Sequence, residues 1–297
     1  MRIIHRLAFR SDSKIKNLII ELGIPFKEPA LVEVNPLSEW ASVFSTGSGI
    51  CVCKIDEEDA RWGRLNSFIN YSEENRRASG HTIITEFTKK EQNAAHYLEV
   101  SSKWHHGYPE PSDTMDYLEL TYNLDDYCAV CGVGKHQKAP FRFKKSPVWG
   151  QKNILQLYWI YDEYFVKPEI WQDLFEPFGI GCRPVVLDKS DKVLDAVVQL
   201  DLNELVDLDG FGDAPFVECN SCGRIKYLPI TRGYKPAPVS FPAKAMFRSN
   251  QFFGSGASAH RMVLVSNEIF VKAESLKLKG VSYMPCLPNL SKLPILH

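Results

Sequence analysis

No run of about 18 uncharged apolar residues occurs anywhere in the sequence. The opening Met-Arg-Ile-Ile-His-Arg-Leu-Ala-Phe-Arg holds no apolar stretch long enough for a signal peptide. These two absences argue against a helical membrane span and predict a cytoplasmic protein. Net charge is also lacking, at −1 with neutral histidines, so the chain carries no global field of the strongly basic kind that dedicated nucleic-acid binders use. Disordered bulk is missing too: a composition 44% hydrophobic, 24% charged and 12% aromatic is that of a folded protein.

Catalytic signatures are equally scarce. His105 and His106 have no His-x-x-x-His spacing and no acidic helix partner. They read as a loop pair packed with Trp104 and Tyr108. The segment Phe253-Gly-Ser-Gly-Ala-Ser-Ala259 lacks the Lys-Ser/Thr of a phosphate loop and the third glycine of a dinucleotide fingerprint, so it reads as a flexible surface turn. Glu57/Glu58 and Asp125/Asp126 are sequence neighbours, which do not share a face of a helix or strand and make poor acid/base pairs. No catalytic constellation assembles, and the sequence predicts a non-enzymatic protein.

What the chain does have is two copies of Cys-x-x-Cys-Gly: Cys128 and Cys131 before Gly132, and Cys219 and Cys222 before Gly223. Two intervening residues let both sulfurs of a pair reach one cation, and glycine relieves crowding where backbone N–H groups turn toward the sulfurs. The repeated pattern favours one four-cysteine structural zinc site over two redox pairs or four unrelated buried thiols. Such a site closes the metal's coordination shell and leaves no open position for substrate. Between Cys131 and Cys219 lie 87 residues, against the roughly 15 to 20 of a compact zinc ribbon. The metal would therefore pin together two parts of a larger domain. His136 reads as an outer or surface residue, and Cys51, Cys53, Cys182 and Cys286 read as core.

Length suggests two domains, an N-terminal α+β unit over 1–110 and a zinc-binding domain over 111–297. The fold class expected is α+β, with mixed or antiparallel sheets and flanking helices. In the first unit the pattern predicts helices over 11–22, 57–71 and 89–97 and β segments over 30–35, 49–54 and 81–87. In the second it predicts strands over 117–122, 154–160 and 262–265, and a helix from Pro168 to near Gly179. A hairpin joining 184–187 to 196–200 follows, with a closing helix over 267–278 and a strand over 281–284.

Charge is unevenly spread. Residues 135–152 hold six basic residues (Lys135, Lys138, Arg142, Lys144, Lys145, Lys152) and no acid, interleaved with aromatics. Residues 188–213 are acidic, with Asp201, Glu204 and Asp207 at their centre. Either run is a solvated surface or a docking face.

The two knuckles, followed by Arg261-Met-Val-Leu-Val-Ser-Asn-Glu-Ile-Phe-Val-Lys and by Gly280-Val-Ser-Tyr-Met-Pro, resemble the double-CxxCG family of bacterial proteins. The similarity spans about residues 115–290. Many members are taken to be immunity proteins encoded beside polymorphic toxins, so the resemblance implies a binding function and no catalytic residues. The first 110 residues match nothing in that pattern. The reading that results is a zinc-stabilised immunity or antitoxin-type protein that neutralises a toxin by direct binding, with Asp201, Glu204 and Asp207 meeting a basic partner. The alternative is a zinc-containing nucleic-acid-binding regulator or defence protein that uses residues 135–152.

Overall fold

Residues Arg2–Arg10 alternate between polar and apolar side chains, which puts His5, Leu7 and Phe9 on the buried face of a first strand, β1. The structure, a computed structural model, describes residues 1–28, 49–71, 79–211 and 214–287. β1 sits inside an antiparallel sheet of order β2–β3–β1–β4, with β2 at Phe26–Lys27, β3 at Ile50–Asp56 and β4 at Ser79–Glu86. Helices α1 (Lys14–Glu21) and α2 (Trp62–Tyr71) bring Ile15, Ile19, Leu65 and Ile69 onto it, and Cys51 and Cys53 join this core as expected. The strand expected over 30–35 lies outside the described residues. β1 escaped prediction because its arginines and histidine interrupt the apolar pattern.

The chain divides into two compact units, Met1–Thr88 with Thr231–Gly233, and Lys89–Ile230 with Tyr234–His297. The division falls at Thr88, where the sequence pattern placed it at 110. The reason is that, after the short helix α3 (Lys89–Ala94), strand β5 (Tyr97–Ser102) lies between two strands from the end of the chain, β18 (His260–Ser266) and β19 (Val281–Leu287). Helix α3 stops at Ala94, short of the expected 97, because Tyr97 already belongs to that strand.

The second unit holds two main sheets. The smaller has order β8–β11–β12–β10–β9, from Arg142–Phe143, Gly181–Leu187, Val193–Asp201, Ile160–Val166 and Ile154–Leu157 respectively. The larger runs β14–β15–β17–β18–β5–β19–β16, where β14 is Phe216–Glu218, β15 Ile225–Tyr227, β16 Lys235–Pro236 and β17 Met246–Phe253; β13 (Leu205–Val206) pairs with β17. β6 (Tyr122–Asn123) and β7 (His136–Gln137) form a small separate pair. Tyr164, Val166, Leu200, Val100, Val265 and Phe270 fill the core shared by the two main sheets. The fold is thus α+β, mostly sheet with few helices.

Two expected strands are reshaped. Tyr117–Thr121 is a helix, α4, because its buried residues are Tyr117 and Thr121, spaced i and i+4, while Leu120 faces solvent. The run over 154–160 splits into β9 and β10 at a two-residue turn, Tyr158-Trp159, with Leu157 paired to Ile160. The helix expected from Pro168 begins as Pro168–Ile170, continues through a π-turn at Trp171–Phe175 and a 3-10 turn, and ends at Gly179 with φ +70°. The closing helix, α5, is Asn267–Ser275, and its N-cap Ser266 accepts from the Ile269 N–H.

One polar cluster in the first unit gathers around a buried histidine. His5, 3% exposed, lies flat against Trp62 with ring centroids 3.7 Å apart. Its Nε2 is 3.2 Å from the Glu57 carboxylate and its Nδ1 2.8 Å from His81 Nε2. Glu57 also faces the Arg232 guanidinium and acts as an acceptor. His5 Nε2–H therefore donates to Glu57, and His5 Nδ1 accepts from His81 Nε2–H. Burial lowers the His5 pKa below 6.5, with the Glu57 bond opposing it, and burial lowers that of His81 as well. A folded pKa below the unfolded one means that the unfolded chain binds more protons as pH falls through 6.5. This contribution to stability is complete above that pH and declines below it, with a slope of up to about 1.4 kcal/mol per pH unit for buried His5 and less for the exposed His81. Denaturant unfolding of the first unit between pH 7.5 and pH 5 should show this loss, with a shallower slope in His5→Phe; equal slopes would rule out the histidine pair as its source.

Candidate metal centre

Each cysteine knuckle is the tip of a two-stranded hairpin. Cys128 and Cys131 lie in the loop between β6 and β7, and Cys219 and Cys222 form the turn between β14 and β15. The two tips share one backbone design. The Gly132 N–H donates to Cys128 O at 2.7 Å and the Cys128 N–H to Val133 O at 2.9 Å; the Gly223 N–H donates to Cys219 O at 2.8 Å and the Cys219 N–H to Arg224 O at 2.9 Å. The local five-residue pattern therefore folds the same way twice.

The tertiary structure brings the tips together. All four Sγ atoms lie within 4.8 Å of one another, with Cys128 to Cys219 at 3.8 Å and Cys131 to Cys222 at 3.6 Å. No disulfide is formed, since all four are free thiols. A tetrahedron of sulfurs with metal–sulfur bonds of about 2.3 Å has edges of about 3.8 Å, so the spacing suits a tetrahedral cation.

The electrostatics agree. Backbone N–H groups of Cys131 and Val130 hold the Cys128 thiol down at about 6, and those of Ser221 and Cys222 lower Cys219. Burial pushes Cys131 up to about 12. Four thiolates this close cannot all ionise alone; a bound cation would let them.

Two basic side chains tie the knuckles to each other. Lys226, on β15 and only 2% exposed, donates to the carbonyls of Cys131 at 2.7 Å, Gly256 at 2.5 Å and Ser258 at 2.8 Å. Arg224 reaches the Asp126 carboxylate at 2.5 Å and the Asp126 carbonyl at 2.6 Å. Neither was singled out in the sequence, where a lysine in so short a strand reads as solvent-facing. The Lys226 bonds also correct the flexible turn expected at 253–259: that loop is anchored to the first knuckle. His136 is exposed on β7, and it is not among the clustered ligands.

Of the acidic residues expected to face a partner, Asp201 and Glu204 are engaged within the fold. Asp201 accepts from Arg183 Nε at 2.7 Å and from Asn203 Nδ2 at 2.9 Å. The Glu204 carboxylate caps the backbone N–H groups of Ala243 and Lys244, each at 2.5 Å. Asp207 alone is exposed with a single long contact, 3.5 Å to Gln251. Aromatics of the basic segment are sorted as well: Phe141 and Phe143 are core. His106 packs on Trp104 and Phe143, and His105 on Tyr158.

Beside the knuckles opens a cleft of about 520 Å³. Its floor carries Glu163, held by Arg248 Nη2 at 2.6 Å and Gln199 Nε2 at 2.8 Å, with Gln199 and Gln137 exchanging amide bonds. Burial raises the Glu163 pKa against the pull of Arg248. The lining holds no serine, threonine or cysteine, and Arg183, Arg224 and Arg248 are each paired to a carboxylate.

No protein-family model matches the chain, and no curated protein or solved structure shows significant similarity to it. Among the described residues no helix is long and apolar enough to cross a membrane.

Two outcomes test the centre. Metal analysis should find one bound divalent ion per chain in the wild type and none in Cys128→Ser/Cys219→Ser, which should also unfold at much lower denaturant; equal metal in both proteins would end the assignment. The knuckle glycines should differ: a Cβ on Gly132 (φ +80°) would meet Ala257 O at 2.1 Å, whereas one on Gly223 (φ +70°) meets nothing within 4 Å. Gly132→Ala should therefore cost several kcal/mol and Gly223→Ala about 1 to 2. Equal costs in denaturant unfolding would contradict the packing of residues 254–259 on the first knuckle.

Proposed function

We propose that the chain is a zinc-stabilised, non-enzymatic protein-binding protein of the immunity or antitoxin type, which neutralises a toxin by direct binding. Zinc is the cation that four cysteine thiolates in tetrahedral spacing take most readily, and a reducing cytoplasm keeps such thiolates available. A four-thiolate shell leaves zinc no position for substrate, so the metal's role is to hold surface elements in place.

The observation that carries the reading is the hairpin that the second knuckle closes. β14 is the terminal strand of the larger sheet, and all three of its residues are exposed, Phe216 at 56% and Val217 at 51%. Ile225 and Leu228 add apolar surface across the hairpin. An unpaired strand edge bearing large apolar side chains is a template for a partner's strand, and main-chain bonds with side-chain anchors would supply affinity. Asp207 remains available to steer a basic partner. Asp201 and Glu204 hold their own fold, and their replacement would test folding more than binding.

Co-expression with a toxin-domain protein encoded beside the gene tests the reading. Phe216→Ser/Val217→Lys should weaken complex formation at least tenfold and abolish growth protection while metal content and unfolding midpoint stay unchanged. Full protection by that variant would refute the docking edge, and no protection by the wild type would refute the function.

A further inference from the structure

Three exposed aromatic rings stand together on the second unit, away from the β14 edge in sequence and on different elements. Tyr158 and Trp159 form the turn between β9 and β10, and Tyr108 comes from the segment after β5. They are 44%, 39% and 43% exposed. Tyr108 touches both of the others, with ring centroids 4.9 Å from Tyr158 and 4.3 Å from Trp159.

The rings are braced from beneath. Buried Tyr117 stacks on Trp159 at 6.0 Å and 27°, and His105 stacks on Tyr158 at 5.1 Å and 13°. The backbone of Trp159 has φ +68°, a left-handed conformation that glycine or asparagine adopts cheaply and a bulky residue does not. Folding alone would favour glycine at this turn. A tryptophan there, braced by Tyr117 and Tyr108 and open to solvent, puts backbone strain at a turn that presents its ring outward.

Lysines surround the same chain segment. Lys152 lies over Trp104 with Nζ 4.9 Å from the ring, Trp104 packs on Trp149 and His106, and His106 Nε2 is 3.0 Å from the carbonyl of Lys145. The Lys103 N–H bonds to the carbonyl of Gly280, next to Lys279. Lys103, Lys144, Lys145, Lys152 and Lys279 are all exposed. Arg142 is matched by Asp191, whereas Lys144 and Lys145 enter no ion pair among the described residues. Hydrogen bonds thus bring segments 103–108, 144–159 and 279–280, far apart in sequence, and the lysines they carry into one region.

We infer that this surface binds single-stranded nucleic acid, with bases stacked on Trp159, Tyr158 and Tyr108 and phosphates met by Lys144, Lys145 and Lys152. Exposed aromatic faces accept any unpaired base, and unpaired lysines beside them supply the sequence-independent attraction to the backbone. Duplex bases are not available to such faces. None of the β14 or knuckle residues takes part, so this surface is separate from the protein-docking edge.

The test is fluorescence anisotropy of a labelled oligouridylate and of a duplex of the same length, titrated with the full chain at several salt concentrations. The wild type should bind the single strand more tightly than the duplex, with affinity falling as salt rises. Trp159→Gly should leave the unfolding midpoint unchanged or raise it, by relieving the left-handed strain, and should weaken oligouridylate binding about tenfold. Lys144→Glu/Lys145→Glu should weaken binding and flatten the salt dependence by about 0.7 in slope for each phosphate no longer neutralised. Absence of single-strand binding, or wild-type affinity in a stably folded Trp159→Gly protein, would overturn the inference. So would displacement of the oligonucleotide by an equal charge of polyglutamate, which would make the surface a docking site for acidic protein.

Discussion

Four sulfur atoms within 4.8 Å of one another form the constraint on which the second unit depends. Like charges at that separation repel, and burial raises the cost of ionising them, so the cluster is stable only with a cation or with protons retained. The hairpins that carry the sulfurs are short and have little core of their own. Lys226 and Arg224 add a second tie by satisfying carbonyls of the opposite knuckle and of the loop over 254–259. Clustering of the sulfurs, backbone capping and the Lys226 hydrogen bonds thus act on the same few residues, and each makes the others more favourable.

The four cysteines draw two hairpin tips together, and in the adjacent cleft Glu163 is held by Arg248 and Gln199. Two exposed features stand out at the surface: the apolar edge of β14, held by a knuckle, and the aromatic platform at Trp159, held by ring stacking. Their chemistries differ, one apolar with free backbone groups, the other basic and aromatic. The two proposed partners, a protein strand and a single-stranded nucleic acid, differ for that reason.

Much of this was readable along the chain where the signal is local. The knuckles, the helix stop at Gly179, the 184–200 hairpin and the strand–helix–strand ending depend on residues a few positions apart. Misreadings occurred where a distant contact decided. Tyr117–Thr121 alternates like a strand but becomes a helix because the core takes Tyr117 and Thr121. β5 looks like the tail of the first unit, yet pairs with β18 and β19. Asp201 and Glu204 look like a free acidic face, yet Arg183 and two backbone N–H groups claim them.

By itself the sequence determined the candidate ligand set, because two residues between cysteines and a following glycine dictate a local turn whatever surrounds it. It also determined the α+β character, through hydrophobic periodicities that short segments carry. Only the tertiary structure decided that the two turns share one centre, that Lys226 is buried beneath it, and which charges and aromatic rings remain free. Those outcomes depend on which strands hydrogen-bond across intervals such as the 87 residues between the knuckles, and no local pattern encodes a pairing at that distance.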